Sequence, residues 1–152
     1  ILNKKSTFKK KTDLLLYLAA RNENYENLIK PYLNKKVILI DRFTDSTMAY
    51  QHYGFKINKK IIKNLNNFIL GNLKPNFTFF HFVPPKYIKR NISGKKNKYD
   101  NFNKNFYKKV QDGFLNILKK NKNKLIIDSS KTKEYNIEKV KNKINKVLNI
   151  NE

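Results

Sequence analysis

Three short apolar runs limit what this chain can fold into. "VILI" at 37–40, "FTFFHFV" at 77–83 and "KLIIDSS" at 124–130 are rich in β-branched or aromatic residues and too short for buried helices. The first reads as a fully buried strand of the kind parallel sheets contain. Between the runs the apolar period changes to that of a helix. Residues 12–33 carry Leu14, Leu15, Leu18, Tyr25, Leu28 and Ile29 at helical spacing, with Thr12 as N-cap and Pro31 as kink or end. A second helix over 57–70 places Ile57, Ile61, Ile62, Leu65, Phe68 and Ile69 on one face and stops at Gly71. A third, 103–120, carries Phe106, Val110, Phe114, Ile117 and Leu118. A fourth, 135–149, buries Ile137, Val140, Ile144, Val147 and Leu148. Strand and helix alternate with connections long enough for crossovers, which predicts one α/β domain built on a parallel sheet flanked by helices.

The polar segments fit that frame. Residues 1–11 form a basic, patternless lead-in, and 89–105 read as a loop. No apolar run is long enough to span a bilayer. There is no cysteine, so disulfides and thiolate metal sites are excluded, and a reducing, cytoplasmic setting fits. The net charge of +23 is open to two explanations. One is binding of a polyanion, nucleic acid included. The other is compositional: the excess is almost all lysine, spread along a chain also rich in Asn and Ile, as an AT-rich coding sequence produces. In such a chain the three arginines, Arg21, Arg42 and Arg90, stand out, because lysine cannot replace a planar two-pronged donor.

Open parallel sheets bind ligands beyond the carboxyl ends of their strands. Asp41-Arg42 and Asp128-Ser129 fall at such ends. A carboxylate there can hold Mg²⁺ and an adjacent arginine can clamp phosphate oxygens. Alternatively, Asp41 or Asp45 could simply cap a following helix. Tyr17 and Arg21 lie one helical turn apart, so an aromatic ring and a guanidinium share a face and could stack on a base and bond its edge. Equally, Tyr17 could be core and Arg21 could pair with Glu23 or Glu26. His81, between Phe80 and Phe82, reads as a packed core histidine, and Phe102, Phe106, Tyr107 and Phe114 read as core.

Taken together, "LLLYLAAR", "LIKPYL", "VILIDRFTDSTMAYQ", "LGNLKPNFTFFHFVPP", "NFYKKVQDGFLNI" and "LIIDSS" resemble the thymidylate kinase family of P-loop nucleoside monophosphate kinases across residues 12–149. The resemblance implies an ATP- and Mg²⁺-dependent homodimer phosphorylating dTMP to dTDP. It implies that Tyr17 stacks on thymine and Arg21 bonds a thymine carbonyl. Asp41 would organise Mg²⁺ and Arg42 would bind the dTMP phosphate. Ser46 and Thr47 would contact substrate and base, while Tyr50 and Gln51 would wall the deoxyribose. In the lid, where the family often has arginines, Arg90, Lys96 and Lys98 would face the ATP phosphates, with Lys95 nearby and Asp100 where a carboxylate is usual. Phe82 and Asn76 stand where many members carry Asp.

One family feature is missing. No Gly-x-x-x-x-Gly-Lys-[Ser/Thr] occurs, and the only glycines are Gly54, Gly71, Gly94 and Gly113. The resemblance therefore implies a kinase lacking its first segment. The phosphate-loop strand would lie between 37–41 and 77–82, so the sheet would have a gap, and the 152 residues alone are expected to be aggregation-prone and inactive. The alternative readings are a basic nucleic-acid-binding domain and a nucleotide-binding paralogue without catalysis.

Overall fold

The computed structural model describes residues 8–87 and 102–149. Helix α1 spans Lys10–Asn24 and continues into a π-helical turn, Tyr25–Ile29, and a 3-10 turn, Lys30–Tyr32, with Pro31 in its first positions. The expected Thr12 cap is not used. The Asp13 amide already donates to Lys9 O at 3.0 Å, so the first turn forms ahead of Thr12 and Lys9 takes the cap position. Helix α2, Thr44–Thr47, runs directly into a wide π-helical stretch, Met48–Gly54. This stretch closes with Phe55 N–H donating to Tyr50 O and Ile57 N–H to Gln51 O, both at 2.9 Å. Helix α3, Lys59–Leu70, is capped by Asn58, whose Oδ1 accepts from Lys60 N at 2.8 Å, and ends at Gly71 with φ 56°. Strand β1, Thr78–Phe82, and strand β2, Lys124–Asp128, are parallel, in register from Thr78 opposite Lys124 to Phe82 opposite Asp128. Helix α4, Lys104–Lys119, lies between them in the chain, and α5, Lys133–Leu148, follows β2. Asn103 and Thr132 cap these two helices through their side-chain oxygens.

The core gathers Leu14 and Leu18 of α1, Met48 of the π-helical stretch, and Ile57 and Ile62 around the start of α3. Burying each such side chain is worth about 1.5–3 kcal/mol. A second contact locks the π-helical stretch against α4, and two glycines allow it. A Cβ on Gly54 would sit 2.8 Å from Phe106 Cε2, and one on Gly113 would sit 2.6 Å from Tyr53 Cγ. Aromatic rings fill the same seam: Phe106 stacks on Phe102 at 4.2 Å and meets Phe55 at 5.0 Å, and Phe114 stacks on Phe80 at 4.8 Å. These rings pack, as expected from the sequence.

Several expectations fail, each for its own reason. Residues 37–40 are not a buried strand: they pair with nothing among the described residues, and Leu39 is 83% exposed. A strand is completed by a neighbour, and β1 and β2 pair only with each other. Ile137, Val147 and Leu148 of α5 are likewise uncovered. On α3, Ile61 and Phe68 point outward, Phe68 at 88% exposure, because the core takes only the narrower stripe of Ile62, Leu65, Ile69 and Leu70. His81 is exposed rather than packed, since β1 alternates and Phe80 takes the inner side. Among the described residues no helix is long and apolar enough to cross a membrane.

The seam between Gly113 and Tyr53 yields a direct test. An alanine in mid-helix ordinarily stabilises by up to about 1 kcal/mol, but at Gly113 its Cβ would collide with the base of the Tyr53 side chain, Cβ included at 2.8 Å. Overpacking of this kind costs about 1–3 kcal/mol and decides the sign. Gly113→Ala should therefore lower the midpoint of urea unfolding; an unchanged or raised midpoint would show that the seam is loose.

Candidate functional site

The segment 41–51 leaves the unpaired 37–40 run through a sharp backbone reversal. Arg42 adopts φ 60°, a left-handed conformation costing a non-glycine residue roughly 1–2 kcal/mol. Such strain persists where surrounding contacts fix it. Here the Arg42 guanidinium lies 5.6 Å over the Tyr50 ring. Arg42 is exposed to solvent overall; partial desolvation of its guanidinium opposes the charge most strongly, but Tyr50, then Asp41 and Tyr17, together raise its pKa above the ordinary arginine value. Four residues singled out in the sequence thus converge: Tyr17 from α1, Asp41 and Arg42 from the reversal, and Tyr50 from the π-helical stretch. Tyr50 is held from behind by α4, with ring centroids 6.2 Å from Phe106 and 6.4 Å from Phe114.

Arg21 builds the other half of the site. Its Nη1 donates to Thr47 Oγ1 at 2.6 Å and to Asn66 Oδ1 at 3.1 Å, its Nη2 donates to Phe43 O at 3.1 Å, and the guanidinium lies 5.4 Å over the Phe43 ring. Burial pulls its pKa down to about 10, which leaves it charged at neutral pH. The pairing with Glu23 or Glu26 considered from sequence does not form. Glu26 bonds Lys30 at 2.7 Å, and Glu23 accepts from Asn27. Nor does Asp41 or Asp45 cap a helix: the cap position of α2 is Phe43, with no side-chain bond. Asp41 is exposed beside Arg42. Ser46 is half-buried, its amide donating to Phe43 O at 3.1 Å. Thr47 is buried, and so is Gln51, only 2% exposed, with Oε1 unbonded among the described residues. Arg90, Lys96 and Lys98, with Lys95 and Asp100, lie outside the described residues. The second strand end is occupied by its own turn: Asp128 Oδ1 accepts from Ser130 N at 2.8 Å and Ser129 N–H donates to Phe82 O at 2.8 Å.

Asn66 was not anticipated. In a chain full of asparagine, one more carries no signal, yet it is the polar member of a core-facing stripe, and that position marks it.

The thymidylate kinase family model matches residues 1–144. The chain belongs to the thymidylate kinase family. It is 37% identical over 131 residues to a thymidylate kinase of Ehrlichia chaffeensis, covering 85% of this chain and 63% of that protein. With one from Sulfurihydrogenibium it shares 35% over 116 residues, 76% of this chain and 57% of the other. With one from an aster yellows phytoplasma it shares 37% over 148 residues, 91% and 70%. A crystal structure of the Ehrlichia chaffeensis thymidylate kinase superposes with a TM-score of 0.69 at 32% identity, covering 95% of this chain and 70% of that one. The fold is thus that of the P-loop nucleoside monophosphate kinases, and the chain spans about three-fifths of the length of the first two of these curated relatives.

Within this thymidylate kinase fold Asp45 is half-buried, and burial raises its pKa above the ordinary carboxylate value of 3.8. A raised folded-state value favours folding fully only below the ordinary value, and that contribution is lost as pH rises through the folded one. Asp45→Asn should therefore raise the melting temperature at neutral pH, with the gain disappearing as pH falls through the carboxylate range. An equal shift at pH 3 and pH 7 would contradict the assignment.

Proposed function

We propose that the whole protein transfers the γ-phosphoryl group of ATP to dTMP, giving dTDP for dTTP supply. The observation that carries this is the convergence of Arg42, Asp41, Tyr17 and Tyr50 at one strained reversal, with Arg21 anchored on Thr47 alongside. The Arg42 guanidinium, charged at neutral pH and able to donate two parallel bonds, suits the dianionic phosphate of a nucleoside monophosphate. Tyr17 is the platform for thymine, and Arg21, Ser46 and Thr47 read the base edge and substrate. Tyr50 and Gln51 wall the sugar where a 2′-hydroxyl would sit. Arg90, Lys96 and Lys98 are proposed lid contacts to ATP, within a lid at about 89–105 of a single domain.

Phosphoryl transfer of this kind is in-line attack of the dTMP phosphate oxygen on the γ-phosphorus. It needs positioning and charge neutralisation and involves no covalent enzyme intermediate. Arg42 holds the attacking phosphate and balances its charge, while Tyr50, braced by Phe106 and Phe114, keeps Arg42 in place. Among the described residues no group of three acidic or histidine side chains could hold a metal alone. A single carboxylate such as Asp41 nevertheless suits Mg²⁺, which keeps water and phosphate ligands. When bound, that ion neutralises charge on the phosphate oxygens.

The 152 residues contain no Gly-x-x-x-x-Gly-Lys-[Ser/Thr] loop, and the proposal accordingly concerns the whole protein; this chain by itself should not turn over ATP. We place the protein in the cytoplasm and propose that it works as a homodimer. Exposed Leu15 of α1 and Leu28 of the π-helical turn after it, with Ile61 and Phe68 of α3, supply an apolar surface for a second copy. Sedimentation of the whole protein at micromolar concentration should give twice the monomer mass, and a monomer would refute the dimer.

The kinase reading is tested by assaying the whole protein with ATP, Mg²⁺ and dTMP. Turnover to dTDP is expected, and Arg42→Ala should cut kcat/KM by about 10²- to 10³-fold. Two results would contradict the proposal. Nucleotide binding without turnover would indicate a paralogue without catalysis. Steeply salt-dependent DNA binding with no dTMP affinity would indicate a nucleic-acid binder.

A further inference from the structure

Asn66 sits in the interior of α3, where asparagine is a poor helix former, and it faces the core at 8% exposure. Its neighbours on that stripe are Ile62, Leu65, Ile69 and Leu70, so a leucine at 66 would extend an apolar surface. A buried amide is tolerated when both its ends are bonded. Here Nδ2 donates to Ile62 O at 3.0 Å, one turn back, which fixes the plane of the amide. Oδ1 is thereby aimed at Arg21, accepting from Nη1 at 3.1 Å.

The donors of Arg21 can be counted. A guanidinium has five N–H groups. Asn66 and Thr47 take both on Nη1, and Phe43 O takes one on Nη2. Among the described residues, Nε–H and the second Nη2–H are left without an acceptor. The three acceptors come from α3, α2 and the reversal at 43, so the plane of the guanidinium is fixed from three sides. The Asn66 bond is also the one that ties Arg21 to α3; the other two acceptors belong to the 43–47 segment itself.

We propose that Asn66 is a positioning residue for nucleobase recognition: by holding Nη1, it sets the direction in which the two remaining Arg21 donors meet the base. This rests on the functional reading above. Asn66 does not touch substrate, so its effect should appear in dTMP binding and not in the transfer step.

The test uses the whole protein with dTMP as variable substrate and ATP saturating. Asn66→Leu should raise the KM for dTMP about tenfold, the scale of one lost bond to a charged group, with kcat and the KM for ATP little changed. Asn66→Asp keeps an acceptor toward Arg21 and should restore much of the dTMP affinity. In an Arg21→Ala background Asn66→Leu should add little further to the KM for dTMP. Equal losses with and without Arg21, or a fall in kcat with the KM for dTMP unchanged, would overturn the proposal and leave Asn66 a structural bond between helices. If Asn66→Leu does not fold, Asn66→Asp decides: KM for dTMP near the parent supports positioning, and KM raised tenfold with melting temperature unchanged refutes it. Absence of any dTMP phosphorylation by the parent protein would remove the functional reading itself, and this inference with it. Parent turnover with insensitive Asn66 variants would remove the inference alone.

Discussion

A buried guanidinium has to be surrounded by acceptors, and Arg21 finds them on three separate segments. Removing water from an arginine is expensive unless its donors are satisfied, and Thr47, Asn66 and the Phe43 carbonyl accept from three of its five N–H groups. The result is a joint in which α1, the reversal after 37–40, α2 and α3 are fixed relative to one another. The apolar cluster of Leu14, Leu18, Met48, Ile57 and Ile62 gathers residues from the same α1, α2–π and α3 region. Hydrophobic burial supplies most of the free energy and carries little direction. The guanidinium supplies direction. With it fixed, the strained Arg42 and the Tyr50 ring come to the same place.

The other half of the molecule is built differently. Its seam between the π-helical stretch and α4 depends on what is absent, a Cβ at Gly54 and another at Gly113. That close approach carries Tyr50 onto Phe106 and Phe114, so the arginine clamp is braced by the far helix. Against these tight joints stand the uncovered surfaces: residues 37–40, the apolar stripe of α5, and Phe68 of α3.

Helices were legible because periodicity is local, and α3, α4 and α5 lie within about two residues of their expected limits. Strands β1 and β2 were equally legible, whereas 37–40 was not, because β-branched composition announces a strand but pairing depends on a partner elsewhere in space. The stripe on α3 was read too wide, which placed Ile61 and Phe68 inside. The convergence of Tyr17, Arg21, Asp41, Arg42, Thr47 and Tyr50 was accessible from helical spacing, the strand end and the family resemblance. What sequence could not show was how Arg21 is held. Glutamates at i+2 and i+5 were the apparent partners; the actual ones lie 22, 26 and 45 positions away. The π-helical widening of 48–54 also left no local mark.

The central claim is that residues 41–51 and α1 together form a deoxynucleoside monophosphate site. The most direct measurement is a crystal structure of the whole protein soaked with dTMP. The account predicts the phosphate on Arg42, the base against Tyr17 within bonding reach of Arg21, and the sugar on Tyr50. Density for the nucleotide elsewhere, or none at millimolar dTMP, would contradict it.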